Sequence, residues 1–161
     1  MADWPEAVER VAAYLRGAGA EARIEEFVDG TPTAEDAARV IGCELGQVVK
    51  SIVLECDGRP AVVLAPGNRR VDTGKIAAVL HCASARVAGP QGVVAATGFD
   101  PGAVAPFPLP QATDVLIERT LLSHEVVWVG AGSPRHMAGL APTELARLAH
   151  ARPIDAVQEG T

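Results

Sequence analysis

The chain has 161 residues, 48% of them apolar and 21% charged, with 20 acidic against 14 basic side chains and a formal charge of −6. That is one domain's worth of sequence, able to bury a core and too apolar for disorder. The acidic balance excludes a protein that grips nucleic acid by bulk electrostatics, and two Trp, one Tyr and three Phe are too few for a base-stacking platform.

Elements follow in chain order. Asp3 as cap, Pro5 in the first turn and Val8, Val11, Ala12 and Leu15 at helical spacing predict a first helix, stopped by Gly17 and Gly19. The stretch from Glu21 to Phe27 alternates as a strand. Thr33-Ala-Glu-Asp36 has capping-box spacing ahead of Ala37, Ala38, Val40 and Ile41, and Gly42 supplies the stop. Val48 to Glu55 and Pro60 to Ala65 are apolar runs joined through Asp57-Gly58, which predicts a β-hairpin. Asp72 caps a short helix carrying Ile76, Val79 and Leu80, and Pro90 opens another through Ala96. Thr97 to Pro110 reads as loop. Val115 to Glu118 and Glu125 to Val129 read as strands, Gly130 to Pro134 as a second Gly-rich loop, and Pro142 opens a last helix with Leu145 and Leu148 inward. The tail after Arg152 either adds an edge strand through Ile154 and Val157 or frays. Strands mixed with short helices, without regular βαβ alternation, predict an α+β fold. We expect one domain over residues 1–161 with a mixed, curled, barrel-like sheet flanked by short helices.

No apolar run approaches the ~20 residues that span a bilayer, and the acidic, amphipathic N-terminus is no signal peptide. A soluble, cytoplasmic protein is expected. Cys43, Cys56 and Cys82 are odd in number and widely spaced, so free buried thiols are expected. His81, His124, His136 and His150 show no metal-ligand spacing, and no metal or organic cofactor is expected. Walker, GxSxG and GxGxxG signatures are absent.

Lys50 is out of place. It is one of two lysines and sits inside Val48-Val49-Lys50-Ser51-Ile52-Val53-Leu54, where both faces are mostly apolar. An ammonium there must reach water at the sheet end, pair with an acid, or line a wet cavity. The loop Thr97-Gly98-Phe99-Asp100-Pro101-Gly102-Ala103-Val104-Ala105-Pro106-Phe107 is a second candidate. Its glycines allow close backbone approach to a ligand, and its prolines stiffen an N–H array able to face an oxyanion, although a plain surface loop has the same composition. Gly130-Ala131-Gly132-Ser133-Pro134 is a third candidate, equally open to a plain-loop reading, and His136 just beyond it is either an acid–base group or a partly buried polar residue. Arg69, Arg70 and Lys75 form a small basic cluster, either a solvated face or a phosphate contact.

Taken in order, several pieces resemble the YbaK/EbsC family, relatives of the editing domain inserted in bacterial prolyl-tRNA synthetases. They are Thr33-Ala-Glu-Asp-Ala-Ala38, Gln47-Val-Val-Lys-Ser-Ile-Val53, Asp57-Gly58, Thr97-Gly-Phe99, Gly102-Ala-Val-Ala-Pro106-Phe107, Val127-Trp-Val-Gly-Ala-Gly132 and Leu140-Ala-Pro-Thr-Glu-Leu145. The lysine in its strand followed by GxxxP is the specific pair. Three departures stand out: Ala103 replaces a second glycine, Pro108 follows Phe107, and Glu118 stands where an aspartate is common.

The resemblance implies an aminoacyl-tRNA deacylase, free-standing and metal-independent, that hydrolyses a wrongly attached amino acid from the tRNA 3′ end, with proline tRNA favoured. Its implied partners are the tRNA acceptor end and a prolyl-tRNA synthetase, not a membrane or DNA. Lys50 and Gly102 carry the implied catalytic roles. Thr31, Gly98, Ala103, Val104, Pro106, Phe107, Gly132, Ser133 and His136 join them as substrate-binding candidates, and Arg69, Arg70 and Lys75 as nucleic-acid contacts. A non-catalytic aminoacyl- or nucleotide-binding module and a small-ester hydrolase are the alternatives.

Overall fold

The computed structural model describes residues 4–160. Asp3, the expected first cap, lies outside them. Helix α1 spans Glu6–Gly17 with Pro5 at its N-cap, one position outside the first turn where it was expected. Its stripe of Val8, Val11, Ala12 and Leu15 is buried, and Glu6 and Glu9 near its start with Arg16 near its end complement the helix dipole. Strand β1 is Arg23–Glu26. Helix α2, Ala34–Ile41, begins where the Thr33 hydroxyl accepts the Asp36 N–H at 3.0 Å and ends at Gly42 in the left-handed region.

The hairpin forms as expected, β2 over Val49–Cys56 and β3 over Arg59–Pro66, with Lys50 opposite Ala65. Asp57 and Gly58 both take positive φ in the turn, which is why Asp-Gly suits it. Helix α3, Thr73–Leu80, starts where Asp72 accepts the Lys75 N–H at 3.1 Å. Then come β4 (Ala85–Val87), α4 (Pro90–Thr97), β5 (Asp114–Glu118), β6 (Val127–Ser133), β7 (His136–Leu140), α5 (Pro142–Ala149) and β8 (Arg152–Ile154).

The α+β class stands, and among the described residues the strands make two sheets without closing into a barrel. One has the order β4-β2-β3-β5-β8, with the hairpin and β4 antiparallel and the β3-β5 and β5-β8 pairs parallel; the other is the antiparallel β1-β7-β6. A parallel bridge between Val48 and Trp128 joins them. Strand β3 is buried on both faces. Val62 and Leu64 pack into the main core with Val11, Leu15, Phe99, Phe107, Val129 and Leu145, while Ala61 and Val63 meet Leu54, Ile76, Leu116 and Ala156 behind the sheet. Residues 130–133, expected as loop, are the bulged end of β6, and β4 and β7 were not anticipated. Cys56 and Cys82 are joined in a disulfide with Cα atoms 5.8 Å apart, which corrects the expectation of free thiols there; Cys43 is free.

Candidate functional site

Lys50 enters the site from the start of β2. It is half-buried, and its Nζ donates to the Arg69 carbonyl at 2.9 Å, at the far end of the turn that leaves β3. Burial pushes its pKa below the ordinary 10.5; the Glu35 carboxylate opposes that and the Arg70 guanidinium adds to it. The ammonium is therefore neither hidden in the sheet nor swung fully into water.

The loop after α4 forms the facing wall. α4 ends at Gly98 in the left-handed region, and the Thr97 hydroxyl donates to the Val93 carbonyl at 2.7 Å and accepts the Phe99 N–H at 3.1 Å. Phe99, Ala105 and Phe107 are buried in the core, Phe107 stacked on Tyr14 with ring centroids 5.7 Å apart, and the Phe107–Pro108 peptide is cis. The loop is thus pinned at both ends, and its middle turns at Gly102, with φ 82°. The Ala103 N–H is already taken by the Asp100 carbonyl at 3.0 Å, so that member of the expected N–H array is occupied.

The third wall is the β6–β7 turn. His136 is 2% exposed; its Nδ1 lies 2.5 Å from the Ser133 hydroxyl, which also accepts the Arg135 N–H at 3.0 Å. Its buried Nε2 has no hydrogen-bond partner among the described residues, and a Glu26 carboxylate oxygen lies 3.8 Å away. The Trp4 ring meets the imidazole edge-on with centroids 5.5 Å apart. Burial lowers the His136 pKa below the ordinary 6.5, against the Glu26 carboxylate and with the Arg135 guanidinium.

These three walls enclose a cleft of about 250 Å³. It brings together Lys50, Gly102, Ala103, Val104, Thr31, Ser133 and His136 from the expected set, and the Thr31 N–H donates to the Pro134 carbonyl at 2.9 Å. Four expected members lie elsewhere. Gly98 caps α4 beside the Arg10 guanidinium, Phe107 is core, Pro106 lines a neighbouring cleft with Tyr14 and Leu148, and Gly132 packs on α1, where a Cβ would meet the Ala7 carbonyl at 2.9 Å. Gly130 and Pro134 of the third candidate also line it, and sequence reasoning missed Thr33, Ser51 and Met137 as lining residues. Ser51 was legible as the neighbour of Lys50 in the strand; Met137 was not, because β7 was not anticipated. The described lining holds one ammonium, one imidazole and several hydroxyls among apolar groups, with neither carboxylate nor thiol.

The basic cluster separates. Lys75 Nζ is bound by both Asp155 carboxylate oxygens at 3.0 Å, the Val157 carbonyl at 2.7 Å and Glu159 at 3.3 Å, and so does not face outward to a phosphate. The Arg69 guanidinium donates to the Gln158 carbonyl at 2.9 Å.

An aminoacyl-tRNA editing domain model matches residues 28–148. The uncharacterized protein YwhH of Bacillus subtilis is 28% identical over 130 residues, covering 80% of this chain and 82% of that protein. Proline--tRNA ligase of Thiobacillus denitrificans is 31% identical over 130 residues, but this chain spans only 23% of its length. The crystal structure of a candidate trans-editing enzyme for prolyl tRNA synthetase superposes with a TM-score of 0.89 at 30% identity, covering 97% of this chain and 99% of that one.

Proposed function

This chain belongs to the aminoacyl-tRNA editing domain family and is, as a member, an aminoacyl-tRNA deacylase; from that premise we propose that it works as a free-standing trans-editing enzyme, freeing a wrongly attached amino acid from the 3′ end of proline tRNA. The observation that carries the reading is the convergence of Lys50 and the Gly102–Val104 backbone on one small cleft. The kinship to a candidate trans-editing enzyme over nearly the whole of both chains supports action in trans.

An aminoacyl ester is activated by its vicinal ribose hydroxyl, so orientation and oxyanion stabilisation supply most of what hydrolysis needs. Water, oriented by that hydroxyl, adds to the ester carbonyl. The tetrahedral oxyanion is met by loop N–H groups, and the bond to the ribose oxygen breaks with its proton returned from the attacking water. With the Ala103 N–H occupied, the donors assigned to the oxyanion are those of Gly102 and Val104. Lys50 holds the terminal phosphate or ribose, where a point charge suffices. The aminoacyl side chain occupies the space between Met137, Ala37 and the His136 ring, and a cleft this small selects by exclusion. A prolyl-tRNA synthetase partner supplies the tRNA affinity that a chain of charge −6 lacks.

The test is deacylation of alanyl-, cysteinyl- and seryl-tRNA(Pro), alongside the same amino acids on their own tRNAs, by wild type and Lys50→Ala. Fast, Lys50-dependent release from one mischarged proline tRNA is the expected result. Binding without release from any substrate would turn the reading into a non-catalytic module, and absence of both would leave small esters as the substrates to try.

A further inference from the structure

The C-terminal tail has no place in the chemistry above, yet it meets the segment that holds Lys50. From β8 it runs antiparallel past residues 69–72. The Asp72 N–H donates to the Ala156 carbonyl at 2.8 Å, the Gln158 N–H to the Arg70 carbonyl at 2.8 Å, and the Arg69 guanidinium to the Gln158 carbonyl at 2.9 Å, with a bridge between Val71 and Val157. Arg69 in turn offers the carbonyl that receives the Lys50 ammonium. Ala156 is fully buried and packs with Leu54 and Ile76, while Ile52 and Val71 flank that cluster. By the strand period, Lys50 shares its face with Ile52 and Leu54, so the tail lies behind the same face of β2.

We propose that residues 155–159 are a strap that aims Lys50 into the cleft by fixing the Arg69 carbonyl, and that Lys75 is the positioning residue that anchors the strap. Its ammonium gathers Asp155, Glu159 and the Val157 carbonyl from the tail onto α3, whose own N-cap, Asp72, also accepts the Lys75 N–H. A charged anchor suits the task because several short contacts converge on one atom, which fixes the tail's register along residues 69–72. The inference rests on the reading of Lys50 as the substrate-contacting lysine. It gives Lys75 a role in place of the phosphate contact expected from the sequence.

The chain contains only two lysines, so lysine labelled with carbon-13 at Cε reports on Lys50 and Lys75 alone, and Lys75→Met leaves a single resonance. In full-length Lys75→Met the segment 69–72 loosens and the Lys50 ammonium gains water. Its resonance shifts and its titration moves up toward that of an exposed lysine, with Glu35 and Arg70 the charged groups bearing on it in both proteins. In the same variant kcat falls about tenfold with KM within about twofold, and Lys75→Arg restores most of the rate. Gln158→Pro is the second variant. It deletes the N–H given to Arg70 while leaving the Lys75 side chain and its two carboxylate partners in place, and it moves the Lys50 resonance the same way. Should Lys75→Met fail to fold, Gln158→Pro decides alone. An unmoved Lys50 resonance and titration in folded variants, with only the melting temperature lowered, overturns the strap. A moved resonance in a protein whose wild type releases no amino acid from any ester upholds the strap and overturns the editing reading.

Discussion

The Val104 carbonyl oxygen rests where Gly130 has no side chain: a Cβ at Gly130 would lie 2.5 Å from it. The loop that carries Gly102 can approach β6 only because residue 130 is glycine, so the cleft's width is set in part by a residue on the opposite strand. Gly130→Ala pushes the loop outward by more than any side-chain adjustment absorbs, since the obstacle is backbone. We expect deacylation to fall by about 100-fold while far-UV circular dichroism stays native. Wild-type rates in a folded Gly130→Ala protein would show that the loop's seat on β6 does not matter.

Lys50 is held at a cost to the fold. Burial lowers its pKa, so near neutral pH the charged ammonium is disfavoured by its surroundings. A group with a depressed pKa contributes least to stability where it is charged in the folded state, so removing the charge relieves the fold at pH 7. Lys50→Met keeps the stem that packs on the strand and removes the head. The expected outcome is a melting temperature equal to or above that of the wild type, with turnover reduced by at least about 100-fold. A lower melting temperature would mean that the bond to the Arg69 carbonyl outweighs the desolvation.

Local signals in the chain were legible wherever one residue does one job. Thr33, Asp72, Gly42 and the Asp57-Gly58 turn each mark an element boundary through a cap or a positive φ, and each appears where expected. Lys50 stood out because a charge inside an apolar strand requires a reason. The β6–β7 hairpin was not legible. Gly130 and Gly132 read as loop and Gly139 fell in a stretch with no expected element, but each is a strand position where a neighbour approaches too closely for a side chain: the Val104 carbonyl, the α1 backbone and the Trp128 ring. Losing that hairpin also concealed the division into two sheets and the place of His136. The Cys56–Cys82 pairing has no local signature, because it depends on where α3 returns the chain to the end of β2.

His136 makes acid stability a further test. Its pKa is lowered by burial, below the ordinary 6.5, so the unfolded chain binds this proton more tightly than the folded one. The stability it contributes is complete above the unfolded value and is lost as pH falls from there through the folded pKa. Urea midpoints at about pH 7.5 and about pH 5.5 should differ less in His136→Gln than in the wild type. An equal difference in both proteins would place the acid sensitivity in other groups, and an NMR titration of the imidazole above 6.5 would reverse the sign.

Glu118 explains one departure from the family pattern. The side chain is 1% exposed, and its carboxylate is shared between two segments. One oxygen accepts the Thr120 N–H at 2.7 Å and the Thr120 hydroxyl, and the other accepts the Ala156 N–H at 2.9 Å. An aspartate, one methylene shorter, keeps the local cap on Thr120 but cannot also reach the tail. Glu118→Asp should therefore cost little at the turn and lose the Ala156 bond, for about 1–2 kcal/mol, whereas Glu118→Leu strands both N–H donors and costs about 2–4 kcal/mol. Urea denaturation orders the three proteins, and amide hydrogen exchange at Ala156 separates the causes. Faster exchange there in Glu118→Asp, with Thr120 still protected, is the expected pattern; unchanged protection at Ala156 would mean that packing against Leu54 and Ile76 holds the tail without the carboxylate.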